Sequence, residues 1–314
     1  MSVAVIIVTY NRKEELAKAL RAITEQICQI DKLYIIDNHS TDGTQEYVKL
    51  LGLVNDDWIE YICLPDNIGG AGGFYEGLRA AHLNSYDYYI LMDDDGRPVN
   101  KDSFSLLIEM AEKLKRFGHK KIMINSVVTY DDNHEELSFG LNQIKTYSEL
   151  KKNTVDGLYQ GFVNPFNGTL IAKALVDEIG YPNKDFFIRG DEVDYQERAK
   201  RAGAYLATVI DSLYYHPTCE LKMVKWRKRI IYVGICNAWK SYYLIRNYVY
   251  RCKRDSGLVA AIKEYLFQTY CARKCNPEYK QCMPFMRKGL QDGLRGRLGR
   301  VIEPGQTKLT RDDQ

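Results

Sequence analysis

The chain opens on an unbroken apolar, largely β-branched run, Val3 to Thr9, and then changes period. Apolar character at every position predicts a strand buried on both faces, as in a parallel sheet. Asn11 reads as a helix cap, with Glu14 three residues on completing a capping box. Leu16, Leu20 and Ile23 then fall on one side of the predicted helix. The alternation repeats. Lys32 to Asp37 predicts a second strand, Asp42 caps a second helix with Gln45 in the box position, and Ile59 to Leu64 predicts a third strand. Past a glycine-rich turn, Gly73 to His82 reads as a helix. Tyr86 to Met92 reads as a fourth strand, running straight into Asp93-Asp94-Asp95-Gly96. Lys101 to Arg116 predicts a helix and Lys121 to Thr129 a strand.

The pattern loosens from Lys145 to Phe166, and Phe166 to Thr169 is expected to lead into a helix through Ile179. An acidic helix start at Asp191, Glu192 and Asp194 follows Phe186-Phe187-Ile188. A strand at Tyr205 to Ile210 ends near His216, and from Trp226 the chain reads as helical, basic and aromatic. Strand–helix alternation predicts an α/β fold with a mostly parallel sheet flanked by helices. Ligands of such sheets bind beyond the carboxyl ends of the strands. The unusual polar clusters lie at those ends: Thr9 to Arg12, Asp37 to Ser40, Asp66 to Gly73 and Asp93 to Gly96.

Charge changes this picture more than composition does. The net charge of +3 divides unevenly: residues 220–314 carry 21 Lys and Arg against 8 Asp and Glu, so the rest is acidic. An acidic domain that binds a diphosphate needs a cation between the two. The basic end suits an anionic surface or a lipid-linked phosphate, or simply packs on the acidic body. Trp226, Trp239 and the Tyr-rich helices would give interfacial contacts, a helical core or a dimer contact. The 8 cysteines are scattered without zinc-type pairing and read as reduced thiols. The first residues read as a strand, not a signal peptide. No stretch reaches the roughly 20 apolar residues of a membrane span.

Three adjacent carboxylates after a buried strand repel one another unless a cation compensates. Mg²⁺ or Mn²⁺ takes oxygen ligands and completes its shell with substrate phosphates. Asp93 and Asp95 would share a face in an extended segment, with Asp94 pointing elsewhere; the alternative is an acidic loop left in water. The glycines of Asp66 to Phe74 would let backbone N–H groups approach a ligand, although the segment fits neither the P-loop nor the dinucleotide spacing. Asp37 would accept from a ribose hydroxyl or a base N–H, or merely close a capping loop. Among Asp191, Glu192 and Asp194 one would act as general base, with Asp194 the better structural cap. His216 reads as a structural imidazole or as a metal ligand beside carboxylates.

These segments together resemble the GT-A nucleotide-sugar glycosyltransferases, and more narrowly the inverting branch with VTYNR, an Asp-Asn strand end and a DxD-type motif. DNIGGAGGFYEG (Asp66 to Gly77) followed by MDDDG is most similar to bacterial galactofuranosyltransferases, with rhamnosyltransferases as near relatives. The resemblance covers residues 1–220; YYLIRN (Tyr242 to Asn247) and the basic end also look like this branch. It implies a catalytic domain over 1–220, a basic helical region over 221–306 and a short tail over 307–314. It implies that Thr9, Asn11, Arg12 and Asp37 line a uridine pocket, that Asn67, Gly72 and Gly73 cradle the donor with Asp93 and Asp94 beside it, and that Asp93, Asp95 and His216 hold the metal. The family's base falls on Glu192, with Asp191 beside it. The sequence departs where galactofuranosyltransferases carry Trp and Asp: Gly190 and Glu192 stand there.

The implied reaction is inverting transfer of galactofuranose from UDP-galactofuranose to a glycan or lipid-linked acceptor in polysaccharide biosynthesis, with Mn²⁺ or Mg²⁺. The alternatives are a rhamnosyltransferase using dTDP-rhamnose and a non-catalytic nucleotide-sugar-binding assembly subunit. A sugar nucleotidyltransferase is disfavoured, since TYNRKEE carries no glycine after the first strand. The expected setting is cytoplasmic, with peripheral contact on the inner membrane face, a homo-oligomer contact and no nucleic-acid partner.

Overall fold

Val3–Thr9 (β1) is buried at every position, because alternate residues feed two different cores. Val3, Val5 and Ile7 pack on one face of the sheet, and Ala4, Ile6 and Val8 on the other. The computed structural model describes residues 1–52, 57–141, 144–218, 221–226 and 229–310, without the side chains of 221, 226, 229, 230 and 232. Trp226, expected to make interfacial contacts, therefore has its side chain outside the described residues, as do the last four residues of the expected tail.

After β1 come Lys13–Thr24 (α1), Lys32–Asp37 (β2), Thr44–Leu50 (α2), Ile59–Cys63 (β3), Gly69–Leu83 (α3), Tyr88–Asp93 (β4), Arg97–Pro98 (β5), Ser103–Arg116 (α4) and Ile122–Thr129 (β6). Small elements follow: Glu136–Leu141 (β7), Ile144–Thr146 (β8), Tyr147–Lys152 (α5) and Leu158–Gln160 (β9). Then come Asn167–Ala172 (β10), Lys173–Ile179 (α6), Asp191–Arg201 (α7) and Tyr205–Tyr215 (β11). The main sheet runs β3-β2-β1-β4-β10-β6-β11-β5. The first four strands are mutually parallel, β10 is antiparallel to both β4 and β6, and β6 is parallel to β11. This is the expected α/β architecture, a sheet flanked by helices.

Four local expectations fail, each for a physical reason. Asn11 caps nothing: it has φ +53°, its N–H donates to Ser40 Oγ and its side chain accepts from Thr41 N–H, so it ties two loops together. Asp42 accepts from Thr44 N–H at the start of α2, but Gly43 holds the cap position and no box forms. The glycine-rich segment is no turn. Helix α3 begins at Gly69, and an added Cβ at Gly73 would lie 2.5 Å from Val8, one at Gly77 2.5 Å from Ile6. Those glycines let α3 lie close on β1. Residues 167–172 form a strand rather than the start of a helix. Asn167, Gly168 and Thr169 are buried in β10 although polar or glycine, so the sequence shows neither alternation nor the long apolar run that marks β1.

The chain divides into two compact units, residues 1–182 with 195–218, and residues 183–194 with 219–314. In the second unit, the segment expected to be wholly helical starts with an antiparallel hairpin, Leu221–Trp226 (β12) and Arg229–Gly234 (β13). Its Val, Ile and Tyr content suits strands, but the interspersed cations hide the pattern. Three helices follow, Ala238–Ser256 (α8), Leu258–Cys275 (α9) and Tyr279–Arg295 (α10). Gly289 and Gly293 bring α10 against α8, where an added Cβ would meet the carbonyls of Tyr242 and Arg246 at 2.6 Å. The seven described cysteines are free thiols. Among the described residues no helix is long and apolar enough to cross a membrane.

Candidate active site

Parallel pairing sets the carboxyl ends of β1, β2 and β4 side by side: Thr9 is opposite Asp37, and Val8 is opposite Asp93. Beyond this edge the acidic run turns back on the sheet. Asp94 is buried, accepting from Thr9 Oγ1 at 2.8 Å and from Tyr10 N–H at 3.4 Å. Thr9 and Asp94, both expected at the donor site, bond each other and tie β4 to β1. Arg12 reaches over them, its Nη1 3.3 Å from Asp94 Oδ1 and 2.5 Å from Asp95 Oδ2.

Asp95 has a second partner. Its Oδ1 lies 3.2 Å from His216 Nε2, on the residue just past β11, and His216 Nδ1 is 2.6 Å from the Pro217 carbonyl. Nδ1 therefore carries a proton and donates it to that carbonyl. Nε2 then faces a carboxylate oxygen, and needs its own proton or a cation to make the approach favourable. Without a metal the proton serves: despite burial, the hydrogen bond and charge of Asp95 raise the His216 pKa. Burial acts downward on the imidazole but upward on Asp95, which His216 and Arg12 nonetheless hold below the usual carboxylate range. Desolvation, then the charge of Asp95, pushes Asp93 up to about 7. Burial lifts Asp94 to about 6 against the pull of Arg12 and Thr9.

Among the described residues no three His, Cys, Asp or Glu side chains stand in ready ligand geometry. The expected trio is thus assembled only in part: Asp95 and His216 meet, and Asp93 is coupled to both by charge. The donor set nonetheless fits a hard divalent cation, being carboxylate oxygens with one imidazole whose tautomer is fixed. Arg12 adds a positive charge beside Asp94 and Asp95.

Tyr214 is a residue the sequence reading passed over. Its ring is fully buried, with Gly96 and Gly168 both close enough that an added Cβ would come within 2.6 Å of it. Among the described residues its hydroxyl has no hydrogen-bond partner, and burial followed by the charges of Asp93 and Asp95 drives its pKa far up. An orphaned donor beside a carboxylate cluster calls for a water or ligand oxygen. The two glycines were the only sequence signal.

Asp37 is buried too, accepting from Tyr61 Oη and from Ser40 N–H at 2.8 Å. A carboxylate has about four lone-pair sites, so each oxygen retains one. Asn67 accepts from Gly69 N–H at the start of α3, and Asn38 Oδ1 accepts from Ile68 N–H, both at 2.9 Å. Gly72 and Gly73 are buried within the first turns of α3, whose N-terminus lies in the expected cradle.

In the second unit, the acidic start of α7 follows a contorted turn. Phe187, Arg189 and Gly190 have φ of +65°, +67° and +86°. Asn247 Nδ2 donates to the carbonyls of Phe186, Ile188 and Arg189 at 3.0, 2.9 and 2.7 Å. Arg246, fully buried, donates to the carbonyls of Asp185, Phe186 and Gly299, and its Nε donates to Asn247 Oδ1. So the Arg-Asn pair of YYLIRN holds a strained turn. Gly190 suits that turn, where a Trp would be strained. Glu192 accepts from Gly190 N–H at 2.8 Å, Asp191 is buried, and buried Asp194 pairs with Arg254 at 2.7 Å, a structural role.

A parallel sheet with an antiparallel insertion, and carboxylates gathered at its ligand edge, defines the class of GT-A glycosyltransferases. Solved structures agree on the fold. Staphylococcus aureus TarS 1–349 superposes with a TM-score of 0.58 at 15% identity, over 95% of this chain and 82% of that one. The mannosyltransferase PcManGT of Pyrobaculum calidifontis, in complex with GDP-Man and Mn²⁺, gives 0.52 at 15%, over 94% and 87%. Residues 4–169 match the family described as Glycosyl transferase family 2. Galactofuranosyltransferase GlfT1 of Mycolicibacterium smegmatis is 32% identical over 231 residues, 71% of this chain and 74% of its own length. GlfT1 of Mycobacterium tuberculosis is 32% identical over 220 residues, 69% of this chain and 70% of its own length. The chain belongs to glycosyltransferase family 2.

Proposed function

We propose that this glycosyltransferase is metal-dependent and inverting, and moves galactofuranose from UDP-galactofuranose onto a glycan or lipid-linked acceptor in bacterial polysaccharide biosynthesis. The observation that carries the mechanism is the cluster of Asp93, Asp95 and His216 at the carboxyl edge of the sheet. The choice of sugar rests on the 32% identity to GlfT1. Asp93, Asp95 and His216 would hold Mn²⁺ or Mg²⁺, which when bound offsets charge on the departing diphosphate. Arg12 adds a fixed positive charge on the same side. Asn11 and the open lone pairs of Asp37 recognise the nucleoside, and Asn67 with the N-terminus of α3 the donor phosphates.

Glu192 removes the proton of an acceptor hydroxyl, with Asp191 beside it. That oxygen bonds the anomeric carbon on the face opposite the diphosphate, the bond from that carbon to the phosphate oxygen breaks, and UDP departs. The configuration inverts in a single displacement. The basic second unit brings the chain to an anionic membrane face where a lipid-linked acceptor is presented. A second reading, transfer of rhamnose from dTDP-rhamnose, is favoured by one departure: Gly190, with φ +86°, stands where galactofuranosyltransferases carry Trp.

A donor screen decides between them. UDP-galactofuranose, UDP-hexopyranoses and dTDP-rhamnose are offered with acceptor, with and without Mn²⁺, and nucleotide release is followed. The proposal expects acceptor-dependent release of UDP from UDP-galactofuranose that EDTA abolishes. Turnover of dTDP-rhamnose alone transfers the assignment to the second reading, and full activity in EDTA removes the metal.

A further inference from the structure

Helix α9 buries only Ala261 and Cys271 of its 18 residues, yet its outward face is apolar. Val259, Ile262, Leu266 and Tyr270, spaced i, i+3, i+7 and i+11, fall on one stripe, opposite Ala261 and Cys271. Val259 is 69% exposed and Leu266 57%. Single exposed apolar residues need no explanation, but a continuous stripe does. The exposed charged residues of the helix are all cations, Lys263, Arg273 and Lys274, while the exposed carboxylates nearest in sequence, Asp255 and Glu278, lie beyond its two ends. The one carboxylate of the helix, Glu264, points to the inner side and accepts from Gln268 Nε2 at 2.8 Å. The neighbouring strand β12, whose Lys225 carbonyl accepts from Tyr270 Oη, adds the exposed Met223 and the exposed Lys225. Trp239, by contrast, is half-buried against the helical core.

We infer that the outer face of α9 docks on an anionic phospholipid bilayer, its apolar stripe entering the headgroup boundary and its cations meeting lipid phosphates. This deepens the membrane contact proposed above and stands apart from the transfer chemistry. Charge complementarity selects the occupant. A neutral apolar partner leaves three cations without counter-charge, and a second copy brings like charges together. An apolar face rimmed by Lys and Arg is the pattern of interfacial helices, whose binding adds buried apolar area to attraction for anionic lipid.

The test is co-sedimentation of the full chain with phosphatidylcholine vesicles, with and without phosphatidylglycerol, at low and high salt. The expected result is binding only where phosphatidylglycerol is present, weakened by salt. The double variant Val259→Asp with Leu266→Asp should bind at least about tenfold more weakly, and so should Lys263→Glu with Lys274→Glu. Circular dichroism and thermal melting confirm that both stay folded, as exposed positions allow. Wild-type protein that ignores the vesicles, or variants that bind as wild type, overturns the inference. So does concentration-dependent self-association that the aspartate variant abolishes, since the face would then be an interface between copies. UDP release with a short soluble acceptor keeps the two proposals separable. Normal turnover without vesicle binding sinks the docking alone, and vesicle binding without turnover sinks the transferase mechanism alone.

Discussion

His216 Nε2 faces Asp95 Oδ1 at 3.2 Å while its Nδ1 is held by the Pro217 carbonyl, so only a proton or a metal ion can sit between the imidazole and the carboxylate. Metal and proton therefore compete. Mn²⁺ binding should release protons and strengthen as pH rises through the raised His216 value and the value of about 7 at Asp93. Calorimetry at pH 6 and pH 8 in buffers of different ionisation enthalpy checks this; affinity independent of pH contradicts it.

The same groups set the stability of the metal-free protein. Asp93 has a folded pKa raised above its unfolded value, so its contribution is present below about pH 4 and lost as pH rises through about 7. Asp95 has the opposite sign: its contribution is present above the unfolded value and lost as pH falls through the depressed folded one. In EDTA, Asp93→Asn should gain melting temperature relative to wild type between pH 5 and pH 8, and the gain should vanish in saturating Mn²⁺. An equal gain at all pH values would mean that the Asp93 charge is not the cause.

Glu192→Gln keeps the shape of the side chain and removes the proposed base. Turnover should fall by about 10²–10⁴-fold, with donor affinity by calorimetry unchanged. A fully active variant would move the base elsewhere, Asp191 first.

Asn247→Ala takes away three hydrogen bonds from the turn ahead of Glu192. Stability should fall by about 1–3 kcal/mol, the usual cost of buried polar groups left unpaired. Because the turn sets the start of α7, kcat should fall while KM for the donor holds. Equal loss in both parameters would reduce Asn247 to a general stabiliser.

Glycines that look alike in DNIGGAGGFYEG should behave differently. Gly73→Ala puts a Cβ 2.5 Å from Val8 and should cost about 1–3 kcal/mol in chemical denaturation. At Gly70 nothing lies within 4 Å, so Gly70→Ala should be neutral or stabilise by up to about 1 kcal/mol.

The parallel half of the sheet was legible because β1, β2 and β4 are apolar runs cut off by polar clusters, and that boundary is also where the ligand edge lies. Asp95 and His216 could be named from sequence, and strand alternation set Asp94 apart from its neighbours, but its partners Thr9 and Arg12 lie over 80 positions away and only folding brings them to it. Strand β10 was illegible because it opens on Asn167-Gly168-Thr169, leaving only Leu170 to Ala172 as an apolar run too short to stand out beside β1. The glycines of α3 misled in the reverse way, a packing requirement against Val8 and Ile6 looking like a turn. Arg246 and Asn247 hold the turn through its backbone carbonyls, and such contacts leave no trace in the residues contacted.

The position of β10 governs how the protein can be made. Strand β4 gains its second neighbour only from residues 167–172, some 75 positions later in the chain. Until that segment emerges during synthesis, the nascent β1–β4 layer carries a bare apolar border next to the ligand edge. Such borders are where chains stick to one another. Fragments ending before Ala172 should therefore aggregate, whereas those that include β10 have that border closed.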